Sequence, residues 1–130
     1  MSQENVDIMR ESLEAIRRGD WDAIAAGWDP HVLVRTDPRW PEQFLYGREA
    51  VIDWQKGVWE SLGPDIHIEE NVDLGDRLLT RFCWKTRGQH SGIERDLRWS
   101  QINTYRDGLV VFAEYFLDHE QALKAVGLEE

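Results

Sequence analysis

A chain of 130 residues, 42% of them hydrophobic, can bury a core without disulfides or metals, and we expect one domain over residues 1–130. Its 25 acidic and 15 basic residues give a net charge of −10, which argues against nucleic acid or an anionic membrane surface as a partner. The absence of a long apolar run and the single cysteine, Cys83, predict a cytoplasmic protein without a membrane span or disulfide.

The first third of the chain predicts two helices, a strand and a loop. Ser2 can cap a helix that ends at Gly19, with an apolar stripe at helical spacing formed by Val6, Met9, Leu13 and Ile16. Asp20 then caps a short second helix, whose apolar side is formed by Trp21, Ile24, Ala25 and Trp28. Residues 31–36 read as a short strand, and the proline-rich residues 37–41 read as a loop at its end.

The middle of the chain predicts a third helix over residues 47–62 and two strands. Residues 66–74 alternate, so that Ile66, Ile68, Val72 and Leu74 should share one face. In the following strand, residues 77–87, an apolar face with Leu78 alternates with a basic one. Each of these strands therefore has one face directed at the core.

Residues 96–117 predict two long antiparallel strands joined at Asp107-Gly108, because Asp-Gly between alternating apolar runs is a strong hairpin signal. One face of the first arm should point inward; it consists of Leu97, Trp99, Gln101, Asn103 and Tyr105. In the second arm, Tyr115 should share its face with Val111 and Ala113. Two amides among large aromatic side chains need partners or a ligand, which indicates the wall of a cavity.

The last segment predicts a short helix capped by Asp118.

The face of the hairpin that is opposite its inward face predicts a homodimer. That face carries Ile102, Phe112 and Phe116, which is more apolar surface than a monomer should leave in water. The element order predicts an α+β fold, with three N-terminal helices packed on a strongly curved, mostly antiparallel sheet and a short C-terminal helix.

Four stretches of sequence resemble the SnoaL-like group of the nuclear transport factor 2 superfamily. They are Arg18-Gly19-Asp20-Trp21-Asp22, Tyr46-Gly47-Arg48-Glu49-Ala50, Tyr105-Arg106-Asp107-Gly108 and Tyr115-Phe116-Leu117-Asp118 with the Glu120-Gln121-Ala122-Leu123 that follows. The resemblance covers nearly the whole chain and implies a cone-shaped fold with a cavity. It also implies relatives such as ketosteroid isomerases, polyketide cyclases and limonene epoxide hydrolases.

The resemblance to ketosteroid isomerases places Asp37 at their proton-abstracting carboxylate and Gln101 at an oxyanion position. Tyr115 is a further candidate donor, because its strand face should direct the phenol into the cavity. Each has a structural alternative: Asp37 can start an Asp-Pro turn or pair with Arg35, Gln101 can pair with Asn103, and Tyr115 can bond to backbone. Epoxide hydrolysis is disfavoured, because Tyr115 stands where those enzymes have a second aspartate.

We predict a substrate pocket bounded by aromatic and polar side chains, namely Trp40, Trp54, Trp84, Trp99, Asn103 and His31. The sequence has no paired histidine or cysteine spacing and no glycine-rich phosphate loop, so we predict neither a metal nor a cofactor. The sequence thus predicts a small-molecule pocket for an apolar ligand, with cofactor-independent proton transfer or cyclisation on a carbonyl compound as the activity. The alternative is a non-catalytic ligand-binding or dimerisation domain. If Asp37 is not the general base, His31, His90 and Glu114 are the next candidates for that role.

Overall fold

A computed structural model describes residues 2–40, 43–87 and 94–127, and His90 lies outside these ranges. The described residues form helices α1 (Ser2–Arg18), α2 (Trp21–Ala25), α3 (Arg48–Leu62) and α4 (His119–Ala125). They also form strands β1 (Trp28–Arg35), β2 (Phe44–Tyr46), β3 (Ile66–Asp73), β4 (Arg77–Arg87), β5 (Glu94–Arg106) and β6 (Leu109–Phe116). None of these helices is long and apolar enough to cross a membrane.

The six strands form one curved, open sheet in the order β2-β1-β6-β5-β4-β3. All neighbours are antiparallel except β1 and β6, which run parallel. Helices α1 and α3 contact one side of the sheet, here called the inner face, and α2 packs against both helices. This arrangement confirms the predicted α+β fold of three helices on a mostly antiparallel sheet.

Helix α4 covers part of the opposite side of the sheet, here called the outer face. Ile102 and Phe116 are buried there together with Leu79 and Ala122, of which Ala122 belongs to α4. The premise of the dimer prediction was therefore wrong for Ile102 and Phe116, because a helix of the same chain covers them. Phe112 is only half-buried.

Two bulges change which side chains face the helices. Between Ile68 and Glu70, β3 holds one residue more than its partner β4, so Val72 packs with the outer cluster while Ile68 packs with the inner one. The predicted single apolar face of this strand was wrong beyond the bulge. A similar irregularity in β6 opposite Tyr105 puts Val110, rather than Val111, in the inner core.

The strand after the second helix begins earlier than predicted. Trp28 is the first residue of β1 rather than part of α2, which ends at Ala25. Residues 44–46 form the short edge strand β2, which was not predicted because three residues are too few for a periodic pattern. The predicted hairpin is present, with positive φ angles at Asp107 and Gly108.

Asp37 connects the loop after β1 to the end of β6. Its Oδ1 accepts hydrogen bonds from the Arg39 backbone N–H (2.9 Å) and Nε (2.8 Å), and its Oδ2 accepts from Arg39 Nη2 (3.0 Å) and the Leu117 N–H (2.8 Å). Asp37 is only 1% exposed. Arg35, the partner considered from the sequence, pairs with Glu114 instead (2.6 Å). The bonds from Arg39 and Leu117 outweigh desolvation and hold the pKa of Asp37 well below its usual range.

Replacing Asp37 by Asn should lower the free energy of unfolding at pH 7 by about 1–3 kcal/mol, because it removes a buried, charge-assisted bonding site. A carboxyl whose pKa is depressed on folding stabilises the protein above its unfolded-state pKa and loses that effect as pH falls. The difference between wild type and Asp37→Asn should therefore shrink below about pH 4, as measured by urea unfolding at several pH values.

Glu11→Gln, at an exposed position of α1, serves as the control and should change stability by less than about 0.5 kcal/mol. An equal loss for Asp37→Asn at neutral and at acidic pH would contradict the assigned role of the carboxylate.

Candidate functional site

A cavity of about 540 Å³ lies between the helices and the inner face of the sheet. Helix α1 contributes Met9, Ser12 and Ile16 to its wall, and α3 contributes Trp54, Val58 and Leu62. Strands β4, β5 and β6 supply the opposite wall. The cavity lies on the helix-covered side of the curved sheet.

Three aromatic side chains from separate elements meet at one part of the cavity wall. Trp40, in the loop that Asp37 anchors, lies 5.3 Å from Trp54 between ring centroids, and Trp54 lies 5.3 Å from Tyr115 in an edge-on arrangement. Rings packed at such distances stabilise one another beyond their buried area. The loop anchored by Asp37 thus contributes Trp40 to an aromatic wall, whereas Asp37 itself does not line the cavity.

A second aromatic group lines the cavity from β4 and β5. Phe82 and Trp99 stack at 4.9 Å, and Trp84 lies 5.6 Å from Trp99. The Trp84 indole N–H donates to the Gly63 carbonyl at the end of α3 (2.8 Å), which leaves only its apolar ring surface for the cavity. This part of the wall therefore favours apolar, ring-shaped molecules.

Four alternate side chains of β5 form a continuous hydrogen-bonded row, here called the β5 ladder: Trp99, Gln101, Asn103 and Tyr105. Trp99 Nε1 donates to Gln101 Oε1 (3.4 Å), Gln101 Nε2 donates to Asn103 Oδ1 (2.8 Å), and Asn103 Nδ2 donates to the Tyr105 hydroxyl oxygen (3.3 Å). All four residues are buried and line the cavity. The predicted inward face of β5 is thus the face that reaches the cavity, and the amides are largely partnered by one another.

Burial raises the pKa of both cavity phenols above its usual range. For Tyr115 desolvation is the main cause, and a hydrogen bond with the Gln55 side chain offsets part of it. For Tyr105 desolvation is again the main cause, and the hydrogen bond from Asn103 opposes it. Both side chains are therefore neutral O–H donors at physiological pH.

Helix α3 places further polar groups at the cavity, among them Asp53 and Gln55. Asp53 lines it and is solvent-exposed, so this carboxylate lies at the entrance. Gln55 also lines it, and its Oε1 is buried without a hydrogen-bond partner in the described part of the chain. A buried acceptor without a partner is costly, so Gln55 is a point at which a ligand donor would be stabilising. No group of three His, Cys, Asp or Glu side chains within residues 2–40, 43–87 and 94–127 is arranged to hold a metal.

The structure brings most of the sequence-predicted site residues to this cavity. Those that line it are Trp40, Trp54, Trp84, Trp99, Gln101, Asn103 and Tyr115. Their roles in binding or catalysis stay predictions.

Two predicted site residues do not line the cavity. His31 is exposed on β1 and faces the ring of Tyr46, with 6.4 Å between ring centroids. Asp37 is buried, but both its oxygens are occupied by Arg39 and Leu117, and a carboxylate with a strongly depressed pKa is a weak base. The structure therefore argues against Asp37 as general base and against His31 as a substrate-binding residue.

The cavity residues missing from the predicted site include Tyr105, Asp53 and Gln55. Tyr105 was placed on the inward face of β5 but given no role, although strand alternation put it beside Asn103. Asp53 and Gln55 lie on α3 on either side of Trp54, and the prediction for this helix considered only its apolar positions. For Asp53 and Gln55, the one sequence feature that could have identified them is their position as polar residues beside the apolar stripe of the helix.

Comparisons with known proteins agree with this architecture. A proposed SnoaL-like polyketide cyclase from Jannaschia sp. CCS1 has a TM-score of 0.78 at 17% identity, over 100% of this chain and 96% of its own. An NTF2-like protein from Burkholderia pseudomallei K96243 has a TM-score of 0.74 at 21% identity, over 95% and 97% of the two chains. The structure of TerC co-crystallized with polyporic acid has a TM-score of 0.72 at 18% identity, over 95% and 98%.

At these identities the structural likenesses show the fold and not the activity. No curated protein sequence matches the chain significantly. The family model described as a SnoaL-like domain matches residues 9–113. Because that match covers most of the 130 residues, this protein belongs to the SnoaL-like family.

Proposed function

We propose that the cavity binds a small, mostly apolar, ring-containing molecule that carries at least one oxygen. The observation that supports this most directly is the aromatic cavity of about 540 Å³, which falls within the range of about 300–1,000 Å³ usual for small-molecule sites. Its wall is largely apolar, with a few polar groups on β5, β6 and α3. That composition suits an apolar body with a limited number of hydrogen-bonding atoms.

The entrance offers a direct test through Gly57, a solvent-exposed residue of α3 that lines the cavity. A Cβ at this position meets no atom within 4 Å, so a side chain can be added without backbone strain. Gly57→Phe should obstruct the entrance and weaken binding of N-phenyl-α-naphthylamine roughly tenfold, measured by fluorescence titration. A neutral probe is required because the net charge of −10 repels anionic ones.

Gly57→Ala is the matched control. It should leave the affinity for the probe unchanged and raise the free energy of unfolding by about 0.5–1 kcal/mol, because glycine is a poor helix residue. Binding of the probe with equal affinity to wild type and Gly57→Phe would show that it does not enter the cavity.

Proton transfer or cyclisation on an activated carbonyl compound is the second candidate function. The observation that favours it is the Asp53 carboxylate at the entrance of a cavity that also holds neutral phenol donors, Tyr105 and Tyr115. A general base and an O–H donor around one carbonyl are what enolisation requires. Structural neighbours described as a polyketide cyclase and an isomerase are consistent with such chemistry. In this proposal Asp53 replaces Asp37 as the base.

The test is exchange of the α-protons of β-tetralone for deuterium in D₂O, followed by mass spectrometry. Exchange needs only removal of a proton from carbon and return of a deuteron, so no further reactant is involved. Asp53→Asn should slow the enzyme-dependent exchange on the order of 100-fold, whereas Asp37→Asn should leave it nearly unchanged where it is folded.

The opposite pattern, a loss with Asp37→Asn alone, would restore the base assigned from the sequence. No exchange above the buffer rate, together with normal binding of the probe, would favour the alternative of a non-catalytic ligand-binding domain.

The protein is also proposed to form a homodimer, now through a different part of the outer face. Phe44 and Tyr46 are 61% and 67% exposed on β2, and Tyr46 is level with Leu33 and Phe112 across the neighbouring strands. Together with the half-buried Phe112, these exposed aromatic side chains form an apolar patch at a strand edge, a surface suited to pairing with a second copy of the chain.

Sedimentation equilibrium at micromolar concentration should therefore show a dimer. Tyr46→Glu should weaken it about tenfold or more, because it places a charge in the apolar patch, whereas the nearby Gln43→Glu should have little effect. A monomeric wild type would contradict the proposal.

A further inference from the structure

The β5 ladder has a direction, and Trp99 sets it. An indole N–H is a donor only, so the group of Gln101 that faces it must be the carbonyl oxygen. The amide nitrogen of Gln101 consequently faces Asn103, which must present its own oxygen in turn. Reversing either amide would place two donors against each other at one of these contacts.

The same constraint reaches Tyr105 at the far end of the row. Because Asn103 presents its nitrogen there, the Tyr105 hydroxyl oxygen acts as the acceptor, at 3.3 Å. A phenol that accepts one hydrogen bond still carries its own O–H. In the described part of the chain Asn103 is the one hydrogen-bond partner of this hydroxyl, so its proton has no protein acceptor.

The surroundings make this unused proton an effective donor. Tyr105 is only 7% exposed, lines the cavity and pairs with Val110 of β6, which also lines it. In such a site a hydrogen bond is stronger than in water, and a phenol that already accepts a bond is polarised toward donating its own. A buried O–H that lacks an acceptor is correspondingly unfavourable.

We propose that Tyr105 is the residue that selects the ligand, by donating its O–H to a carbonyl or quinone-type oxygen of the ring-containing molecule, and that Trp99 fixes this polarity through the β5 ladder. This inference rests on the proposed binding function and adds the chemical class of the ligand. It differs from the assignment made on the sequence, in which Gln101 and Tyr115 were the donors. Gln101 here has its oxygen committed to Trp99 and one N–H committed to Asn103.

Two probes of the same shape isolate this single contact. β-Acetylnaphthalene and β-isopropenylnaphthalene differ in one place, where the ketone has an oxygen acceptor and the hydrocarbon a CH₂ group. Wild type should bind the ketone about 2- to 10-fold more tightly than the hydrocarbon, once both affinities are corrected for the partitioning of each probe from water. In Tyr105→Phe this preference should disappear, while affinity for the hydrocarbon stays within about twofold.

Tyr46→Phe is the matched control, since it removes the hydroxyl of an exposed tyrosine on β2 that is not among the cavity-lining residues. It should retain the preference for the ketone. Trp99→Phe should reduce the preference, because without the indole donor the two amides are free to reverse and Tyr105 can donate to Asn103 instead.

A measurement on wild type alone keeps the inference testable if Tyr105→Phe does not fold. The carbonyl stretch of ¹³C=O-labelled β-acetylnaphthalene should shift to lower frequency on binding, relative to the ketone in an apolar solvent, because the carbonyl accepts a hydrogen bond.

The outcomes separate the two proposals. Equal corrected affinity for the two probes, an unshifted carbonyl stretch, or a preference that survives in Tyr105→Phe would overturn the role of Tyr105 and leave the binding function intact. Failure of both probes and of N-phenyl-α-naphthylamine to bind would overturn the binding function and this inference with it.

Discussion

The pairing of β5 with β4 on one side and β6 on the other is the constraint on which the site depends. Eleven residue pairs join β4 and β5 without a break, so the inward face of β5 is fixed from Glu94 to Thr104. Tyr105, the next residue, is held by its pairing with Val110 of β6 and by the hydrogen bond from its N–H to the Asp76 carbonyl. A shift of one residue would move the β5 ladder to the outer face and bring Ser100 and Ile102 inward. The long uninterrupted strand therefore determines both the shape of the cavity wall and the identity of its polar groups.

Much of this wall could be predicted from sequence because strand alternation is local information. Leu97, Trp99, Gln101, Asn103 and Tyr105 were assigned to one face by period alone, and the structure has all five at the cavity. The assignment failed where a bulge interrupts the period. Glu69 is the extra residue of β3, and beyond it Val72 lies on the outer face. The apolar pattern of the surrounding sequence does not predict this change.

Asp37 shows why a reactive residue type in a loop is weak grounds for a catalytic role. The sequence shows a carboxylate beside Trp40 and a proline, which fits a desolvated base. It does not show that Leu117, 80 residues away, donates its N–H to that carboxylate, or that Arg39 folds back onto it. Desolvation and hydrogen bonding move the pKa of a carboxyl in opposite directions, and here hydrogen bonding outweighs burial. The balance depends on tertiary contacts, so only the three-dimensional structure decides it.

The β5 ladder also explains how an apolar cavity keeps polar groups without a large cost to folding. Two buried amides that lacked partners would each destabilise the fold by about 1–3 kcal/mol, but Trp99, Gln101, Asn103 and Tyr105 satisfy one another in series. Among the described residues, the points of unmet hydrogen-bonding capacity at the cavity include the Tyr105 O–H on the sheet and the Gln55 oxygen on α3. A ligand need not replace the internal bonds of the row. The ligand has only to accept a hydrogen bond from the Tyr105 O–H at the end of the row. Recognition of a single oxygen therefore adds binding energy without opposing the contacts that hold the side chains of β5 in place.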